Sequence, residues 1–299
     1  MKINRRLFIS TASGAAMAAL IPGGSYALAM AAGQVAHRIL AADKLSFLTE
    51  KVAKSVLLIQ MDANVARNLE EMMHAHDEFD NILLGFREGK GTSGVDRERF
   101  VSVNNALKHV EELWAPYRVA IEEIVEAGSV DDAHSHMILD NDEALEHACH
   151  EVVRKLEEAY GDVDIDLALA LALDFAGRQR MYTQKICKEI AFTALGKDAD
   201  EHHKKFKKNA TKFGKIIDAL INGGNGMITM AKPPSSEAMS ALVKLQEQWV
   251  AIEPTVTKLD SEAIPAVADI VTFCSEMDAI ELTAEDVALQ YENAIKATS

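Results

Sequence analysis

The segment that decides the fold is written twice along the chain. Residues 42–54 read ADKLSFLTEKVAK, and residues 176–188 read AGRQRMYTQKICK, at a constant offset of 134. With one more residue inserted, the alignment pairs the only two tryptophans of the chain, Trp114 and Trp249. Self-similarity at a long fixed period indicates that one folding unit has been duplicated.

The repeated unit is predicted to be helical. Apolar residues recur three and four positions apart, and no alternating strand pattern is present. Clusters of Gly, Pro, Asn and Ser divide the chain into helices predicted over residues 34–63, 65–88, 97–127 and 131–160, and again over 164–195, 198–222, 235–260 and 264–296. We therefore predict an all-α protein of two tandem antiparallel four-helix bundles related by internal duplication. We call residues 34–160 the first half and residues 164–296 the second half.

The N-terminus predicts export. Residues 1–29 combine Lys2, Arg5 and Arg6 with a short apolar stretch and a small-x-small cleavage pattern, which is the layout of a secretory signal. The run NRRLFI at 4–9 resembles the twin-arginine form of such a signal. We expect a periplasmic protein, tethered to the membrane if the signal is not cleaved.

Composition narrows the classes of function. A net charge of −15 over 299 residues argues against nucleic acid as a partner, because phosphate backbones would be repelled. Three widely spaced cysteines do not predict a disulfide framework, and Cys187 lies in an apolar pattern typical of a buried thiol. No nucleophile elbow, phosphate loop or paired-carboxylate motif is present, so we predict a protein that is not an enzyme.

The ten histidines raise a metal alternative. His147 and His150 share a helix face and would bind zinc, copper or haem if other residues completed the set. A symmetric di-iron site is disfavoured because only one Glu-x-x-His occurs. No cofactor is predicted, but a metal- or haem-binding bundle and a structural or interaction module without ligand both stay open.

The run at 176–188 also resembles a known signature. It is similar to the N-terminal domain of type IV pilus methyl-accepting chemotaxis transducers, a PilJ/NarX-like domain that also senses nitrate and nitrite in membrane histidine kinases. The resemblance implies a periplasmic four-helix sensor bundle. The first half has lost most of the signature and carries Asp43 to Ser46 at the positions of Gly177 to Arg180.

The resemblance also implies a site. In the nitrate sensors, one arginine from the first helix of each subunit holds the anion, and Arg180 matches that arginine while Ser46 is its counterpart in the first half. Arg178 and Arg180 lie about 200° apart on a helix, so only one of them can line the seam. The candidate ligand-binding residues are Arg180, Lys185, Arg178, Gln184, Ser46 and Lys51. A small nitrate- or nitrite-like anion and a membrane signalling protein are the implied partners, and a homodimer stays open.

Overall fold

The computed structural model of the protein describes residues 31–224 and 229–297, so the predicted export signal lies outside the described residues. Within these ranges the chain is helical, and the only β pairing is an isolated bridge between Gly224 and Thr229. The helices are α1 (Ala32–Gln60), α2 (Val65–Glu88), α3 (Val101–Ala127), α4 (Asp132–Leu139), α5 (Asp142–Ala159), α6 (Leu167–Ala194), α7 (Ala199–Asn222), α8 (Ser236–Ser261) and α9 (Val267–Ala297). The all-α prediction is confirmed.

One predicted helix was wrong. The pattern over 131–160 indicated a single helix, whereas the structure has two, α4 and α5, separated at Asp140 and Asn141. The side chain of Asn141 donates to the carbonyl oxygen of Met137 at 2.8 Å, which satisfies a free carbonyl at the end of α4. Asp142 then begins α5 with an acidic first turn, the charge that a helix N-terminus favours.

Helices α1 and α6 are the centre of the molecule. In α1, 23 of 29 residues are buried, and in α6, 20 of 28, whereas α7 buries only 8 of 24. Helix α1 packs against α2, α5, α6 and α9, and α6 packs against α1, α7 and α9. The pairs α2–α3, α3–α5, α7–α8 and α8–α9 complete the contacts of each half.

The contacts between α1 and α6 show their relative direction. Leu40 lies against Arg180 and Glu50 against Lys188, so residue numbers rise together along both helices. The two helices therefore run parallel, with contacting positions 134 to 140 apart, from Asp43 and Gly177 to Leu40 and Arg180. We call this α1–α6 contact the seam.

Local structure also recurs at the same spacing. Asn64 and Asp198, the residues before α2 and α7, both adopt the left-handed conformation, with φ of 48° and 43°. Asn and Asp are the residues most often found there after glycine. Gly89 and Gly223 end those two helices, again left-handed, at φ of 67° and 84°.

A continuous apolar core runs through both halves. Trp114 stacks on Phe79 with the ring centroids 3.9 Å apart, and Trp249 packs against Phe213 at 4.7 Å. The predicted cap before α8 is present, since the Ser235 hydroxyl accepts from the backbone N–H of Ala238 at 3.0 Å. None of the described helices is long and apolar enough to cross a membrane.

Candidate functional site: the charged seam between α1 and α6

Arg180 lies where α6 meets α1 and α9. It is 2% exposed, and its guanidinium donates to the Glu285 carboxylate on α9. It also donates to the Leu40 carbonyl oxygen of α1 and to the Gly177 carbonyl oxygen of its own helix, each at 3.3 Å. The signature arginine is therefore desolvated and held by groups from three directions.

Glu285 is the charge partner of Arg180, and it lies closer to the surface. Its side chain is 31% exposed, and its second oxygen lies 3.8 Å from the Lys44 ammonium on α1. Burial alone would raise the pKa of Glu285, but Arg180 and Lys44 lower it below its ordinary value. Glu285 is consequently an anion at neutral pH.

Arg178 has a different environment. Its Nε donates to Asp174, one turn earlier on α6, at 2.8 Å, and its guanidinium lies 5.9 Å from the centre of the Phe175 ring. The side chain is one-third exposed, whereas that of Arg180 is buried. The two arginines thus have separate carboxylate partners.

Lys51 and Gln184 share one carboxylate. The Lys51 ammonium lies 3.2 Å from the Glu281 carboxylate on α9, and the Gln184 amide donates to the same oxygen at 3.1 Å. Burial raises the pKa of Glu281 above its ordinary value, against the effect of Lys51. Three residues after Lys51 on α1, the Lys54 ammonium lies 2.9 Å from the Asp278 carboxylate and 3.1 Å from that of Glu71.

Lys185 and Lys188 form the equivalent pairs on the other side of the seam. Lys185 contacts Glu146 of α5 and, at 3.2 Å, Glu50 of α1. Lys188 lies 2.8 Å from Glu50 and also contacts Asp142 of α5. Burial would lower the pKa of both lysines, but these carboxylates raise it above the ordinary value, so both remain charged.

The pairing of these lysines repeats. Lys51 contacts Glu281 as Lys185 contacts Glu146, and the lysines are 134 residues apart while the glutamates are 135 apart. Each of these lysines therefore contacts a carboxylate on the last helix of the other half. The repeat is not exact, because Glu50 in α1 corresponds to Gln184 in α6.

Glu50 and Asp43 are the most unusual acids of the seam. Glu50 is completely buried, and burial raises its pKa to about 7 although Lys188 and Lys185 oppose that rise. Asp43 is buried with neither carboxylate oxygen hydrogen-bonded, and burial, together with nearby Asp174, raises its pKa well above the ordinary value.

Asp43 fits against α6 because Gly177 faces it. A Cβ added to Gly177 would lie 2.8 Å from the Asp43 carboxylate. Ser46, the counterpart of Arg180, is 1% exposed, and its hydroxyl has no hydrogen-bond partner among the residues that the structure describes. Of these two aligned positions, only the one in α6 therefore carries an arginine.

The alternative metal residues lie apart from the seam. His147 is on an exposed face of α5, and His150 contacts Glu146 at 3.4 Å. In the described part of the chain, no group of three or more His, Cys, Asp or Glu side chains is arranged to hold a metal ion. The three cysteines are buried and free.

The carboxylates of the seam were missed by the sequence analysis. The acidic residues of α9 that face α1 are spaced three, four and seven apart, which is one helical stripe: Asp278, Glu281, Glu285 and Glu292. Their partners on α1 are spaced seven, seven and three apart and pair with them in the opposite order: His37, Lys44, Lys51 and Lys54. This complementary pattern was visible in the sequence and predicts the α1–α9 contact.

Comparison with known proteins gives one family. Residues 166–272 match the family described as type IV pili methyl-accepting chemotaxis transducer N-term, PilJ. The match starts at Asp166, the N-cap residue of α6, and ends in α9, so it includes Arg178, Arg180, Gln184 and Lys185. The resemblance to the pilus transducers is confirmed for this part of the chain. No curated protein and no solved structure matches the chain.

Proposed function

We propose that this protein is an exported, non-enzymatic sensor that binds a small anion at Arg180. The observation that carries the proposal is the burial of Arg180 at the junction of α1, α6 and α9, inside the segment that resembles a chemotaxis transducer domain. A desolvated guanidinium offers several donors in a fixed plane, which suits a planar anion such as nitrate or nitrite.

The anion would compete with Glu285. Arg180 is already neutralised by that carboxylate, so a free anion binds only by displacing it. Glu285 is positioned for displacement, because its side chain is partly exposed and the partly exposed Lys44 lies beside it. Displacement would loosen the contact between α9 and the seam, which gives ligand binding a mechanical consequence.

The two halves are proposed to be duplicated four-helix bundles that imitate a dimer. The parallel seam, the recurring left-handed residues and the repeated Lys–Glu pairs support this reading. Such an internal pair would contain one signature arginine, because Ser46 is the counterpart of Arg180 in the alignment. A membrane signalling protein is the proposed recipient of the signal, with homodimerisation through the second half as an open addition.

Calorimetric titration with sodium nitrate and sodium nitrite tests the site. Arg180→Ala should weaken binding by at least about tenfold, since a charge-assisted contact is lost. Glu285→Gln should instead tighten binding, because the internal competitor loses its charge. Arg178→Ala is the matched control and should leave the affinity unchanged. Binding that survives in Arg180→Ala, with the variant folded by circular dichroism, would rule out this placement.

Export is tested separately. Arg5→Lys together with Arg6→Lys should retain the protein in the cytoplasm if the twin-arginine pattern directs it, and fractionation of expressing cells measures this. Appearance of the doubly substituted protein in the periplasm would contradict that route.

A further inference from the structure

The groove between α7 and α8 differs from its counterpart in the first half. It has a volume of about 680 Å³, with Gly214 and Lys215 on one side and Trp249 and Glu253 on the other, and none of its lining residues belongs to α1 or α6. Alignment of the two halves shows which side chains of the first half lie at the equivalent place.

In the first half, the equivalent tryptophan is fully bonded. The Trp114 indole N–H donates to the Asp80 carboxylate at 2.7 Å, and Arg118 donates to the second oxygen of Asp80 at 3.2 Å. The indole stacks on Phe79 at an interplanar angle of 15°. The chain itself thus supplies a carboxylate to this indole N–H and a cation to that carboxylate.

In the second half, the carboxylate is missing. Gly214 stands at the position of Asp80, and Glu253 at that of Arg118. Trp249 is 6% exposed as a residue, and no hydrogen bond from its indole N–H to another described residue is found, but the nitrogen itself is open to the groove and is not among the buried unpaired atoms. The indole lies directly over Gly214, since a Cβ added there would be 2.8 Å from the indole nitrogen. The acceptor that Asp80 supplies in the first half is therefore left in the second half to water or to a ligand in the groove.

The charges around this donor are of both signs. The described chain gives no ion-pair partner to Lys215 or to Glu253, although both line the groove. The other charged lining groups are occupied, since Lys207 contacts Asp260 at 2.7 Å and Gln246 donates to Asp218 at 3.0 Å. The free groups are therefore one N–H donor, one ammonium and one carboxylate, beside apolar side chains such as Val250 and Val256.

We propose that this groove binds a small zwitterion of the free amino-acid class. The ligand carboxylate takes the place that Asp80 has in the first half, accepting from the Trp249 N–H and facing Lys215. The ligand ammonium contacts Glu253, and the ligand side chain lies against the apolar wall. The Glu253 carboxylate disfavours a simple carboxylate at this position, which is why the ammonium belongs to the ligand.

The full chain is screened against the common L-amino acids by thermal shift and calorimetry. Acetate and methylammonium are tested in the same way, because each carries only one of the two charges of an amino acid. A ligand that binds only the folded protein raises its melting temperature. At least one amino acid should do so, and acetate and methylammonium should not. Trp249→Phe should abolish the response, and Trp114→Phe, which removes the same N–H from the first half, should retain it.

Two further variants keep the outcome decisive. Glu253→Gln changes an exposed side chain and should weaken amino-acid affinity by about tenfold, the loss expected for one charge-assisted contact. Gly214→Asp restores the carboxylate of the first half and should block binding. No response to any amino acid, an equal response to acetate, or a response unchanged in Trp249→Phe would overturn the proposal. Arg180→Ala should leave this response intact, so the seam and the groove can fail independently.

Discussion

At the scale of single residues, Glu50 is the place where the two halves differ most in chemistry. Its counterpart Gln184 cannot ionise, whereas Glu50 is buried between Lys185 and Lys188 with its pKa raised to about 7. Because the folded state holds this proton to a higher pH than the unfolded chain does, ionisation of Glu50 opposes folding. The stability it contributes is present below pH ~4.5 and is lost as the pH rises toward about 7.

Glu50→Gln should therefore flatten the pH dependence of stability. Relative to the variant, the wild type should lose up to about 3 kcal/mol of unfolding free energy as the pH rises through this window. Urea denaturation at a series of pH values measures the difference. Gln184→Glu is the matched control, and it should steepen the loss, because it adds a carboxylate beside Glu281. Parallel curves for wild type and Glu50→Gln would show that Glu50 titrates normally.

The two buried lysines at equivalent positions should differ in their cost of removal. Lys188→Met leaves Glu50 and Asp142 buried with fewer cations, and we expect a loss of roughly 3–5 kcal/mol. Lys54→Met should cost less, about 1–2 kcal/mol, because Arg67 still contacts both Glu71 and Asp278 at the edge. Urea denaturation of both variants at neutral pH tests the ranking, and equal losses would contradict it.

At the scale of helices, the close approach of α1 and α6 depends on Gly177. Gly177→Ala would place its methyl 2.8 Å from the Asp43 carboxylate and 3.0 Å from a Leu40 methyl, so the helices must separate or these side chains must move. We expect a loss of about 1–3 kcal/mol, as for overpacking elsewhere. Thermal denaturation checks this.

The double variant with Asp43→Ala shows whether the contact is the cause. Removing the Asp43 carboxylate, which has no hydrogen-bond partner among the described residues, should reduce the loss of unfolding free energy caused by Gly177→Ala. Purely additive effects of the two substitutions would indicate that Gly177 acts through helix propensity and not through the seam.

The sequence predicted the ends of the helices better than the contacts between them. Gly, Pro and Asn mark helix ends locally, so the ends of α2 and α7 agree with the structure, while the break at Asp140 is marked only by the single Asn141, without Gly or Pro. The resemblance to the nitrate sensors implied that Arg180 would lie at the contact between the first helices of the two halves. It could not predict Glu285 as the partner of Arg180, because the chain has 46 acidic residues and the choice depends on how α9 is rotated against α6.

At the scale of the whole molecule, the seam makes two similar halves into one folding unit. Helix α1 belongs to the first half by sequence, yet it packs against both α6 and α9 of the second half. The apolar core is continuous across that contact. Unfolding of either half would expose apolar surface of the core that the two halves share, so independent unfolding is disfavoured.

One unfolding transition is therefore expected, and equivalent substitutions in the two halves should move it together. Ile82→Val in α2 and Ile216→Val in α7 are 134 residues apart, and both side chains are buried. Each should cost about 0.5–1.5 kcal/mol and lower the melting temperature by roughly 1–6 °C. Calorimetry should give a single peak that shifts as a whole in either variant, because the seam couples the halves. A second peak that responds to only one of the two substitutions would mean that the halves unfold separately, and the seam would then be too weak to carry a signal between them.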